Sequence, residues 1–196
     1  MLTRTSATIA DRSSDAWVGL RSSTSSTTID LEVNFEQGSV DINAVQGTSP
    51  DYVLVFEGDG CWSDLGRLGG VQGLSLGAHC DSTGIIIHEI MHSLGFDHEH
   101  TRSDRDNYVR VNYNNIHPDA VPNFYQYKLD AIELLNLPYD TSSITHYGKY
   151  DFTKNGLPTI EPLNEVPIWR RTKLGSSKLS KYDILRINRF YGCPEE

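Results

Sequence analysis

The chain has 196 residues, enough for one domain with a real hydrophobic core or for two tightly packed subdomains. Its 17 basic and 26 acidic residues give a net charge of −9, which argues against nucleic acid or an anionic membrane as a main partner. Hydrophobic residues make up 38%, an ordinary globular share, and no apolar run approaches the length of a membrane span.

The opening MLTRTSATIADRSSD lacks the apolar core of a secretory signal. Either the protein stays inside the cell or this chain is a segment of a longer precursor. Residues 1–26 are rich in Ser and Thr with weak periodicity, and SSTSSTT (22–28) reads as a loop, with a short amphipathic helix conceivable around Ala16–Leu20. IDLEVNFE (29–36) alternates as a half-buried strand does. DYVLVFEG (51–58) is a second strand closed by Gly58 and Gly60, and VQGLSLG (71–77) a short third one bounded by glycines. STGIIIHEIMHSLG (82–95) reads as a helix capped by Ser82 or Thr83 and ended by Gly95, and it is apolar nearly all round, as a buried helix is. DAIELLNL (130–137) reads as a short helix stopped by Pro138. SKYDILRINRFYG (180–192) is a closing helix with a Ser180/Asp183 capping box, Ile184, Ile187 and Tyr191 on one face, and Gly192 at its end. No internal repeat is visible. Strands mostly precede helices, which suggests an α+β fold.

The helix at 82–95 carries the chemistry. Residues four apart share a helix face, so His88 and His92 can hold one ion while Glu89 lies beside it without binding. Two imidazoles and a glutamate in this H-E-x-x-H spacing suit Zn²⁺ with a general base. Gly95 lets the chain turn back, and His98 supplies a third ligand. The full pattern, His88-Glu89-x-x-His92-x-x-Gly95-x-x-His98, is the metzincin zinc signature. Burying two histidines and a glutamate on so apolar a helix is costly, and a bound cation removes that cost. Three neutral imidazoles leave an open position on the metal, the mark of a catalytic site. Water there becomes acidic, with a pKa near ~7, and Glu89 can take its proton and pass it to a leaving amine. This chemistry hydrolyses amides.

The run continues HEHTRSDRD, and from His88 to Asp106 it closely resembles the extended signature of the astacin family of zinc endopeptidases. GCWSDLGRLGG (60–70), NYVRVNYNNI (107–116), SITHYGKYDF (143–152) and RINRFYGC (186–193) resemble further family segments, so the resemblance runs from about Asp51 to Cys193. It implies a metzincin-like α+β domain over residues 1–196. Two subdomains, about 1–98 and about 99–196, would flank an active-site cleft. It implies one Zn²⁺ per chain on His88, His92 and His98, with Glu89 as general base and Tyr147 as a switch ligand that swings to support the transition state. Glu99 matches the residue that pairs with the amino terminus after propeptide removal, and Leu74-Ser75-Leu76 would be the edge strand that a substrate extends. Cys61 and Cys80 match a family disulfide, and secretion follows from the family rather than from any signal in the chain. VPIWRRTKLG (166–175) resembles a segment near the pocket after the scissile bond, where Arg171, or secondly Arg170, would select acidic side chains.

Three departures from the family pattern stand out. Thr145 occupies the place of the family's methionine beneath the metal, and its hydroxyl needs a partner if buried. Cys193 matches one end of a second disulfide, but residues 1–60 hold no other half, so it is free or paired outside this chain. Residues 1–50 lack the family's opening strand and long helix. The expected function is zinc-dependent endopeptidase action on a protein or peptide substrate, with oligomeric state open. Two alternatives stand beside it: a zinc-binding pseudoenzyme with impaired catalysis, and a binding module whose histidines hold zinc only to fold.

Overall fold

A computed structural model describes residues 5–12, 15–22, 31–36, 39–44, 51–127, 135–163 and 174–192, with backbone alone within 5–44. The chain divides into two compact units, Met1–Leu94 with Leu185–Glu196, and Gly95–Ile184.

The first unit opens with two antiparallel hairpins. Strand β1 (Thr5–Arg12) pairs with β2 (Asp15–Ser22), and β3 (Leu31–Glu36) pairs with β4 (Ser39–Ala44). The helix conceivable around Ala16–Leu20 is part of β2, in register from Asp11↔Ala16 to Ala7↔Leu20. Trp17 and Val18 favour a pleated strand, Gly19 weakens a helix, and five residues are too few to nucleate one.

Strands β5 (Tyr52–Phe56), β6 (Cys61–Ser63) and β7 (Val71–Leu76) form a sheet in the order β5-β7-β6, with β5 parallel and β6 antiparallel to β7. This corrects the reading of Leu74-Ser75-Leu76 as an edge strand. Leu74 pairs with Val55 and Ser63, Ser75 with Phe56 and Trp62, and Leu76 with Cys61. All three are buried, so they offer no open ladder to a substrate. Among the described strands the antiparallel edge is β6, and its Trp62 is exposed. A Cβ on Gly77 would lie 2.4 Å from the Gly58 carbonyl oxygen, so only glycine permits the chain to pass so close there.

The Cys61–Cys80 disulfide expected from the family is present and ties the start of β6 to the loop before helix α1 (Thr83–Ser93). Ser82 caps α1 by accepting from the Ile85 N–H, and Gly95 takes φ +95° just beyond its end. The helix packs on β6 and β7, and its Ile86, Ile90 and Met91 are buried. Two hydrogen bonds fasten it there: the Ser63 and Ser93 hydroxyls lie 2.7 Å apart, and the Gly66 N–H donates to the His92 carbonyl at 2.9 Å.

Among its described residues the second unit has short 3-10 segments, the longest Pro118–Phe124, and a ribbon of β8 (Val109–Val111) with β9 (Ile160–Pro162). Its core is Val109, Ile116, Ala120, Phe124, Tyr139 and Ile160, with Tyr147 packed against it. Burying a side chain such as Phe124 contributes about 2–3 kcal/mol. The helix expected at 130–137 lies mostly outside the described residues. Of its end, Leu135 and Asn136 form a turn with positive φ.

Helix α2 (Lys181–Tyr191) closes the described chain. Its capping box is reciprocal: the Asp183 N–H donates to Ser180 Oγ at 2.9 Å, and the Ser180 N–H to Asp183 Oδ2 at 2.8 Å. The inward face is Asp183, Arg186 and Ile187, whereas Ile184 is 48% exposed, so the expected Ile184/Ile187/Tyr191 stripe does not hold as one buried face. Asp183 turns inward because its carboxylate accepts from the Ser143 hydroxyl and the Ile144 N–H, and the helical period then rotates Ile184 outward.

Candidate metal centre

Helix α1, the Gly95 turn and the residues after it bring three histidines together. The ligand atoms of His88, His92 and His98 all lie within 4.8 Å of one another, and the Nε2 atoms of His88 and His92 are 3.0 Å apart. Glu89 lies between the two helical histidines in sequence and is only 4% exposed. Its Oε2 has no hydrogen-bond partner, and burial pushes its carboxyl up to about 7. Converging imidazoles beside an unpartnered buried carboxylate oxygen are a donor set suited to a cation of intermediate softness with an open position. The residues fit one Zn²⁺.

The stretch after His98 is tied together by the hydrogen bonds of two buried arginines. Arg102 and Arg105 are 4% and 3% exposed, so each guanidinium must satisfy its donors internally. Arg102 grips both oxygens of Asp104 at 2.8 Å, Glu99 Oε1 at 3.1 Å and the carbonyls of Leu137 and Pro138. Arg105 donates to the carbonyls of His100 and Phe124 and to the Tyr113 hydroxyl. Glu99 is 2% exposed and also accepts from the Asp140 N–H at 2.8 Å. The expected pairing of Glu99 with an amino terminus falls outside the described residues.

Tyr147 is half-buried with its ring edge-on to His98, centroids 4.6 Å apart, and stacked on His100 at 4.0 Å. The neighbouring His146 is buried and neutral: burial holds it down at about 4. Its tautomer follows from its partners. The Tyr139 hydroxyl donates to Nε2 at 2.7 Å and Nδ1–H donates to the Tyr147 carbonyl at 2.6 Å. Thr145 is fully buried, and its hydroxyl lies 3.1 Å from Ser143 Oγ, which donates to Asp183 at 2.6 Å. The requirement for a partner that the sequence raised at Thr145 is therefore met. Arg170 and Arg171 lie outside the described residues.

Residues 19–192 match the family model for Astacin, a peptidase family. The chain belongs to the astacin family. The match begins well before Asp51, where the resemblance first shows by eye, and takes in part of the atypical opening. Among curated relatives, Zinc metalloproteinase nas-13 of Caenorhabditis elegans is 42% identical over 156 residues, covering 79% of this chain and 34% of that protein. High choriolytic enzyme 1 of Oryzias latipes is 43% identical over 171 residues, covering 85% of this chain and 60% of that protein. The solved structure of that enzyme, a hatching enzyme zinc-protease, superposes with a TM-score of 0.65 at 44% identity, covering 75% of this chain and 72% of that one. The α+β metzincin-like fold follows from this family and this neighbour. The chain spans about a third of nas-13 and less than two thirds of the choriolytic enzyme. No helix among the described residues is long and apolar enough to cross a membrane.

Two residues beside the triad carry geometry that the sequence reading did not single out. His100 is buried, with Nε2 donating to the Asn123 carbonyl at 2.9 Å and Nδ1 without a partner. Burial, with His146 and His98 nearby, holds its pKa well below the ordinary value, so it is neutral. Asp97 precedes His98, accepts from its main-chain N–H at 2.6 Å and places Oδ1 3.4 Å from its ring Nδ1. An acid adjoining a ligand histidine is visible in the sequence as GFDHEH. The contact of Tyr127 with it is not.

Proposed function

We propose that this chain is the catalytic domain of a zinc endopeptidase that hydrolyses internal peptide bonds of proteins or peptides. The observation that carries the reading is the convergence of His88, His92 and His98 beside a buried, partnerless Glu89 oxygen. His88, His92 and His98 would hold the metal, which supplies Lewis-acid polarisation of the scissile carbonyl when bound. Glu89 is the proton carrier. Its buried, partnerless Oε2 would take a proton from the attacking water and return it to the leaving amine. The Tyr147 ring lies edge-on to His98, and its phenol would be the group that donates to the oxyanion developing on the substrate carbonyl.

The finer assignments are part of the same proposal. Arg171, secondly Arg170, selects acidic side chains after the scissile bond. Glu99 is the charge partner of a processed amino terminus. The protein is secreted, in keeping with its disulfide. The test is digestion of a diverse peptide library by the zinc-loaded chain and by its Glu89→Ala variant, read by mass spectrometry. The reading expects cuts that vanish in the variant, enriched in Asp or Glu after the cut. Identical, empty digests from both proteins with zinc bound would instead favour the zinc-binding pseudoenzyme.

A further inference from the structure

The histidine ligand contributed after the Gly95 turn is the one that no helix orients. His88 and His92 are held by the ladder of α1, whereas His98 sits in extended backbone, at φ −60° and ψ 130°. Something else must fix which ring nitrogen faces the metal. Asp97 Oδ1 accepts from the His98 main-chain N–H at 2.6 Å and lies 3.4 Å from His98 Nδ1. The Tyr127 hydroxyl donates to the same carboxylate. Tyr127 is itself pinned to this turn, its N–H donating to the Thr101 carbonyl at 2.9 Å. Thr101 closes the ring by donating from its N–H and its hydroxyl to the His98 carbonyl, at 3.0 and 2.6 Å. The four residues form one circuit around the ligand.

We infer that Asp97, tethered by Tyr127, is a positioning residue for the metal: it receives the Nδ1–H of His98 and so presents Nε2 to the ion. The inference rests on the triad being a zinc site. A carboxylate on the far nitrogen of a ligating imidazole fixes the tautomer and ring orientation and makes the ligating nitrogen more basic. At neutral pH an aspartate is ordinarily a carboxylate and a tyrosine a protonated phenol, so Asp97 is the acceptor and the Tyr127 hydroxyl the donor.

The experiment measures zinc affinity of the full chain by competition with a chromophoric chelator, for the parent, Asp97→Ala, Tyr127→Phe and the double variant. Removing such an outer partner costs roughly 10- to 100-fold in metal affinity. Asp97→Ala is expected in that range and Tyr127→Phe below it. The double variant should match Asp97→Ala alone, because Tyr127 acts only through Asp97. With Co²⁺ in place of zinc, the visible ligand-field bands should shift in Asp97→Ala, a change that loss of fold stability alone does not produce. Unfolding of the metal-free proteins is measured alongside. Should Asp97→Ala fail to fold, Tyr127→Phe decides, since it removes one hydroxyl from a part-exposed ring. Zinc affinity within twofold of the parent in the folded variants, with unmoved Co²⁺ bands, overturns the inference while leaving the zinc site standing. A parent that takes up no zinc overturns both.

Discussion

Glu89 offers the sharpest test of the site, because its chemistry should be measurable without any substrate. Glu89 is 4% exposed, one of its carboxylate oxygens has no partner, and burial carries its pKa from 4.5 to about 7. Each pH unit of such a shift corresponds to about 1.4 kcal/mol, so the ionised form opposes folding by roughly 3 kcal/mol. The sign follows from proton counting. Between pH 4.5 and about 7 the folded chain keeps the Glu89 proton and the unfolded chain has lost it. Stability from this group is therefore fully present below pH 4.5 and is lost as pH rises to about 7.

The perturbation is Glu89→Gln, isosteric and neutral at every pH. Urea unfolding of metal-free parent and variant from about pH 4.5 to 8.5 gives a stability difference in which the other titrating groups cancel. The variant should gain on the parent by roughly 3 kcal/mol across that span, with the gain levelling above about pH 8. Any fixed cost of burying the Gln amide shifts the whole curve and leaves its slope intact. With zinc bound to the parent the slope should flatten, because a neighbouring cation favours the carboxylate. A difference constant within ~0.5 kcal/mol over the range would refute the idea that Glu89 is held as a poised proton carrier by burial.

Tyr147→Phe keeps the ring stacked on His100 but removes the phenol, so kcat toward a peptide should fall roughly 10²- to 10³-fold with KM and zinc affinity near those of the parent; steady-state kinetics and chelator competition check it. Thr145→Val removes the hydroxyl bound to Ser143 at a fully buried position and should cost about 1 kcal/mol in unfolding experiments. Thr145→Met restores the family residue but overfills that position and should cost about 1–3 kcal/mol. Replacing Cys61 and Cys80 with serine opens a link spanning 19 positions and should lower stability by about 3 kcal/mol, read as a fall in urea midpoint under non-reducing conditions.

What could be read from the sequence was what is local in the chain. His88, Glu89, His92 and His98 fall within eleven residues, so helical periodicity and one glycine turn suffice to bring them together. The Ser82 cap and the Ser180/Asp183 box are likewise three-residue signals. The sheet order was not legible. Leu74-Ser75-Leu76 alternates in the same way whether its strand is central or at an edge, and only the long-range pairing with Val55 and Phe56 decides. The ribbon β8–β9 joins three-residue segments some fifty positions apart, too short for any periodic signal. Ile184 was misassigned because an apolar pattern says nothing of Asp183, whose hydrogen bonds turn it toward the interior.

That same aspartate explains how the chain accommodates its main departure from the family. Ser143 Oγ gives its proton to Asp183 Oδ1, so between Ser143 and Thr145 the threonine hydroxyl must be the donor. Asp183 takes two further N–H bonds, from Ile144 and Ser180, and is sealed from solvent. A hydroxyl left unpaired at such depth would cost about 1–3 kcal/mol, and the chain from Thr145 through Ser143 to Asp183 avoids that cost. The Thr145 carbonyl in turn accepts from the Glu99 N–H at 3.3 Å, one residue after His98. The turn that carries Tyr147 is thus held by a polar thread anchored at the start of α2, where the family pattern places a methionine side chain. Hydrogen bonds of this kind are directional, whereas a thioether fills space adaptably, so the substitution exchanges one means of fixing the turn for another instead of loosening it.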